Sequence, residues 1–192
     1  MGAEEIRAVL SAYRLVARAS FPALHPAMET RARAWHDATE AVLGEELAGY
    51  LKEAAPPHSH VRIFWKLGPR LIFSGGNQLF ARDAGFDDMS VMIGMDEFDD
   101  RLPWRQQAAK YRADDEEVIH SGQPNLDIVE RQAQPDGVVW LHVGKAPIRT
   151  KNGDVIGLFG IYEVLADDRG RRLDAERLRE APGTGPGPST AS

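Results

Sequence analysis

The sequence contains no cysteine. Disulfides, thiolate nucleophiles, cysteine-ligated zinc and any photochemistry that adds a thiol to a cofactor are thereby excluded. An excess of basic charge is missing too: 23 lysines and arginines face 29 aspartates and glutamates, for a net charge of −6. No whole-molecule field draws such a chain to a phosphate backbone or an anionic membrane, so nucleic acid is not an expected partner. Long apolar runs are absent as well. The opening segment MGAEEIRAVLSAYRLVARAS interleaves charges with its apolar residues, so it offers neither the apolar centre of a signal peptide nor a span of about 20 residues that could cross a bilayer. Gly2 makes no myristoylation signal, because Ile6 stands where Ser or Thr is required. A cytoplasmic protein without a membrane partner is the expectation.

Recognisable catalytic machinery is also missing. The serines at 11, 20, 59, 74, 90, 121, 189 and 192 lack a G-x-S-x-G context. Gly183-Thr184-Gly185-Pro186-Gly187 is followed by no lysine and opens no helix, so it is not a phosphate loop. The sequence reads as non-enzymatic. What is present is a core: 43% hydrophobic residues against 27% charged, in a length that suits one domain with extra elements.

From Ala3 to Ala19, Ile6, Val9, Leu10, Tyr13, Val16 and Ala17 recur at steps of three and four, one face of an amphipathic helix. Phe21-Pro22 and His25-Pro26 stop it, and a second helical stripe is expected from about Ala27 to Ala54. After the Pro56-Pro57-His58 turn the period changes to that of strands. Val61 to Lys66 and Arg70 to Ser74 read as a hairpin about Gly68-Pro69. Short helices follow from Gln78 to His120, then strands over Asn125 to Gln132, Val138 to Arg149 and Val155 to Leu165. The expected class is α+β with an antiparallel sheet of about five strands. Residues 1–57 make a helical extension, 58–168 the domain, and 169–192 a short charged helix with a disordered Pro/Gly/Ser tail.

A series of short motifs then falls in order. Phe64-Trp65-Lys66 precedes Asn77-x-x-Phe80-Ala81, Gly85 and Ile93-Gly94-Met95-Asp96. Trp104, Tyr111-Arg112-x-Asp114-Asp115, Ser121-Gly122-Gln123-Pro124, Asp136-Gly137 with Trp140-Leu141, Lys145-x-Pro147-Ile148 and Gly153-Asp154-Val155-Ile156-Gly157 follow. In that order Val61 to Leu165 resembles a PAS domain with its PAC motif, the sensory and interaction module of bacterial signalling proteins. The resemblance implies a sheet in the order 2-1-5-4-3 whose concave face and short helices enclose a small apolar pocket. It implies a role in signal transduction through a small ligand or a partner protein. It also implies an outer sheet face that packs on a flanking helix or a second subunit, and hence a homodimer through the N-terminal helices and that face. Gln78 stands where flavin-binding light sensors of this superfamily carry the photoreactive cysteine, so a thiol-adduct flavin is ruled out. The Asp-Ile-Thr ending of many PAS domains is absent, and transfer through a C-terminal coiled coil is not expected.

Candidate pocket residues are Phe64, Ile72, Asn77, Leu79, Phe80, Met92, Ile119, Val139, Leu141, Leu158 and Ile161. Asn77 suits either a helix cap or a direct ligand contact. The alternative reading is a haem-binding gas or redox sensor, with His120 or His142 as axial ligand. Against it, a helix-terminal histidine is favourable for the dipole alone, and alternation puts His142 opposite Leu141 and Val143. The acidic run at residues 96–100 and the pair Asp114-Asp115 lack the spacing of a calcium loop. Asp114-Asp115-Glu116-Glu117 reads as the start of a helix, where carboxylates cap and solvate. No metal is expected.

Overall fold

The structure, a computed structural model, describes residues 2–21 and 60–180. The second helical stripe and the Pro/Gly/Ser tail lie outside the described residues. Helix α1 (Ala3–Ser20) comes first, then strands β1 (Val61–Leu67) and β2 (Ile72–Gly76). A short helix α2 (Gln78–Asp83), 3₁₀ turns at Met89–Val91 and Arg105–Gln107, and helix α3 (Ala108–Ser121) form the helical block. Strands β3 (Asn125–Gln134), β4 (Gly137–Arg149) and β5 (Val155–Leu165) complete the sheet, and α4 (Asp167–Glu180) follows it. The sheet order is β2-β1-β5-β4-β3, antiparallel throughout. This α+β architecture has the strand order that the motifs imply.

Each strand alternates its side chains between two faces, and both faces are buried. On the outer face Val61, Ile63 and Trp65 of β1 meet Ala146, Ile148, Phe159 and Ile161. Helix α1 lies across them, with Val9, Tyr13, Val16 and Ala17 fully buried. Close approach requires a residue without a side chain on β4: a Cβ on Gly144 would stand 2.7 Å from Val16 Cγ1. The outer face is thus covered by the chain's own helix, the flanking-helix arrangement that the PAS resemblance offers alongside a second subunit. On the inner face Phe64, Leu141, Val143, Leu158 and Tyr162 meet the helical block through Phe80, Met92, Trp104 and Tyr111.

Helix α3 starts at Ala108, six positions before Asp114, and ends at Gly122 in the left-handed conformation (φ 63°). The acidic pair is therefore not at a helix start. Asp114 pairs on the surface with Lys110 at 2.7 Å, whereas Asp115 faces inward and is fully buried. Among the described residues no helix is long and apolar enough to cross a membrane.

Candidate functional site

Alternation along β1 puts Lys66 on the same side as Phe64, and along β4 puts Lys145 with Leu141 and Val143. Both lysines consequently point into the inner core, where they are only 1% and 3% exposed. A buried ammonium without a partner would be prohibitively costly, and the helical block supplies the partners. Asp115 of α3 accepts from Lys66 at 2.5 Å through Oδ2 and from Lys145 at 2.6 Å through Oδ1. Glu97, on the segment before α3, accepts from Lys66 through Oε1 and from the Trp104 indole at 2.7 Å through Oε2. Two cations and two anions thus share one enclosed cluster.

Burial disfavours the Asp115 carboxylate, yet Lys145 and Lys66 outweigh it and hold its pKa below the ordinary 3.8. Burial likewise disfavours charge on Lys145, but the carboxylates of Asp115 and Glu130 outweigh it and raise its pKa above 10.5. The ammonium of Lys66 also sits 4.7 Å from the centre of the Phe73 ring and 5.5 Å from that of Phe64.

Beside the cluster is a cavity of about 30 Å³. Its apolar wall is Phe64, Phe73, Phe80, Trp104, Leu141, Val143 and Tyr162; its polar end is Glu97, Tyr111, Glu130, Gln132 and Lys145. The rings pack on one another, with Phe64 stacked on Phe80 (5.1 Å between centroids) and Phe80 on Trp104 (5.9 Å). Lys110 bridges the rim, bonding Glu130 at 2.5 Å and Asp114 at 2.7 Å. Burial first, then Glu130 and Glu97, push the Tyr111 phenol well up, so it remains a donor, here to the Arg131 carbonyl at 3.2 Å. Burial and Asp83 do the same for Tyr162, which donates to Asp83 at 2.9 Å. Asp83 in turn holds Arg62 at 2.7 and 3.2 Å.

No family model matches this sequence, and no curated protein is significantly similar to it. Solved structures are similar in fold. The VqmA–ligand–DNA complex from Vibrio cholera matches with a TM-score of 0.53 at 20% identity, covering 73% of this chain and 60% of that one. An RNA-binding light-oxygen-voltage receptor matches with a TM-score of 0.53 at 19% identity, over 75% of this chain and 38% of that one. The PAS domain of a Colwellia psychrerythraea protein gives 0.49 at 14% identity, over 64% of this chain and 97% of its own. The fold is PAS-like in its sheet order, and it is shared with the VqmA complex and the light-oxygen-voltage receptor. The match spans 52%, 47% and 60% of the first three VqmA chains.

These structures overturn the expectation that nucleic acid is excluded. The same PAS-like fold occurs in a protein solved with DNA and in a receptor that binds RNA. The physical reason is that net charge is a sum over the chain, whereas phosphate contacts depend on the charge of a local patch.

Within the PAS-like domain the predicted pocket residues divide. Phe64, Phe80 and Leu141 line the cavity. Met92 and Leu158 are buried in the inner core without lining it, and Ile119 and Val139 pack at its margin. Ile161 faces α1 on the outer side, because it differs from Leu158 by an odd number of residues and a regular strand cannot aim both inward. Ile72 is half-buried and is displaced from the wall by its neighbour Phe73. Leu79 is half-buried on α2, away from the cavity. Asn77 caps α2: its Oδ1 accepts from Phe80 N and Ile63 N, both at 3.1 Å, and its Nδ2 donates to the Val61 carbonyl at 2.9 Å.

Neither histidine reaches the cavity. His142 packs against Phe21 beside α1 and bonds Asp127 at 3.1 Å, while His120 is on the groove at the far end of α3. Sequence reasoning missed the ionic cluster. Its signal was an isolated lysine on the inward face of each of two otherwise apolar strands.

Proposed function

We propose that this chain is a sensory module, non-enzymatic, that receives a small flat molecule in the inner cavity. The observation that carries the reading is the cavity itself: it is lined by stacked aromatic rings and bordered by a closed ionic cluster, within a PAS-like fold. Aromatic walls favour a planar guest, and a few placed polar groups orient it. A buried ion cluster contributes little net stability relative to apolar side chains of the same volume, so its value here lies in fixing the helical block over the sheet and in placing polar groups at the cavity.

As the walls stand, the cavity has room for water and not for a ring. A ring-sized guest must therefore move a wall. Close packing makes such a movement collective, and binding becomes a conformational event. The movable part is the segment bearing Glu97 and Trp104, which is built from turns and 3₁₀ elements. Tyr162 provides a route outward: it leads through Asp83 and Arg62 to the His60 carbonyl, at the start of the strand that adjoins the N-terminal region.

Native mass spectrometry of freshly purified protein tests the proposal. A retained small molecule that is lost in Phe80→Ala is the expected result. Retention unchanged by Phe80→Ala would place the ligand elsewhere and remove the proposal.

A further inference from the structure

The ionic groups around the cavity cancel within the structure. Lys66 and Lys145 are matched by Glu97 and Asp115, and Glu130 is matched by Lys110 at the rim. Asp114, on the solvent side of Lys110, is half-exposed and screened. We infer that the ligand is electrically neutral, a planar ring bearing both a hydrogen-bond acceptor and a donor, an inference that rests on the ligand-binding reading above.

The argument is one of desolvation. A charged guest leaves its hydration shell and finds every ion of opposite sign already paired. An anion would approach Lys145 only in competition with Asp115, and with the carboxylates of Glu97 and Glu130 on the same wall. A cation would seek the aromatic faces, but the Lys66 ammonium already occupies the faces of Phe73 and Phe64. A neutral guest has no such cost, and polar partners remain for it. Lys145 has three N–H donors, of which Asp115 takes one, and it lines the cavity. Glu130, on the same wall, directs Oε2 to Lys110 and has a second oxygen able to accept.

The isosteric set benzamide, benzoate and benzamidine separates neutral, anionic and cationic guests on one ring. Calorimetric titration of the full chain near neutral pH is expected to show benzamide binding at least about tenfold more tightly than either charged probe. Two rim substitutions should shift the order in opposite directions. Glu130→Gln removes the carboxylate that faces the cavity, leaves Lys110 with Asp114 alone on the solvent side, and improves benzoate; Lys110→Met leaves Glu130 without its cation and improves benzamidine. Either charged probe matching benzamide on the unmodified chain overturns the inference while leaving the cavity as the binding site. So does an order that neither substitution alters. Failure of all three probes to bind, with the Trp104 indole signal unmoved, removes the site and the inference together.

Discussion

Lys66 Nζ and Asp115 Oδ2 stand 2.5 Å apart, although 49 positions separate the two residues in the chain. The contact fastens the inner face of β1 to the middle of α3. Because the other Asp115 oxygen holds Lys145 at 2.6 Å, one carboxylate ties two strands to one helix. The position of the helical block over the sheet, and with it the shape of the cavity, depends on that tie.

Replacing Asp115 by Asn leaves two buried ammonium groups with one carboxylate between them, so the expected loss is about 3–5 kcal/mol in urea unfolding. The pH dependence follows from the directions of the shifts. Asp115 has a folded pKa below 3.8, so its contribution is complete above that value and is lost as pH falls through the folded one. Lys145 has a folded pKa above 10.5, so its contribution is complete below that value and is lost as pH rises through the folded one. Asp115→Asn should weaken both limbs; a variant whose stability matches the unmodified chain across this range would refute the assignment.

Gly160 pairs with Phe64 across β5 and β1, and a Cβ there would stand 2.3 Å from Phe64 Cζ. Gly160→Ala should push that ring into the cavity, cost about 1–3 kcal/mol by overpacking, and abolish ligand retention. Thermal unfolding and native mass spectrometry read the two effects separately.

Asn77→Ala removes three buried hydrogen bonds from the corner where β2 becomes α2. A loss of about 2–4 kcal/mol is expected, from the missing cap and the orphaned backbone groups. Affinity per folded molecule should be unchanged when measured by titration, whereas a direct ligand contact would lower it.

Gly144→Val should lift α1 from the sheet, since its side chain would meet Val16 Cγ1 at 2.7 Å and Ser20 Oγ at 2.8 Å. Limited trypsin digestion should then cut at Arg14 and Arg18, both exposed on α1, faster than in the unmodified chain. Equal rates would mean that α1 is not held by this contact.

Much of the fold was legible because β1, β4 and β5 are β-branched and aromatic runs bounded by turn residues, and their order carried the PAS resemblance. The pocket was legible only in part. Strand parity separates Leu158 from Ile161, and Phe73 from Ile72, but apolar character alone does not. The start of α3 was misplaced because four consecutive acidic residues imitate a helix N-terminus, while the true start at Ala108 follows a 3₁₀ turn with no side-chain cap. Asp115 and Glu97 were hidden for a deeper reason. Their partners lie on other elements, and no local pattern announces a charge that is paired across the sheet. Lys66 and Lys145 were visible in principle, as lone lysines at inward positions.

Two tryptophans offer the most direct test of the central claim that the inner cavity is the receptor site. Trp104 lines the cavity and donates its indole N–H to Glu97, whereas Trp65 lies on the outer face. In a ¹H–¹⁵N spectrum titrated with benzamide, the account predicts that the Trp104 indole resonance moves saturably while that of Trp65 stays in place. A Trp65 shift with Trp104 unmoved would contradict it.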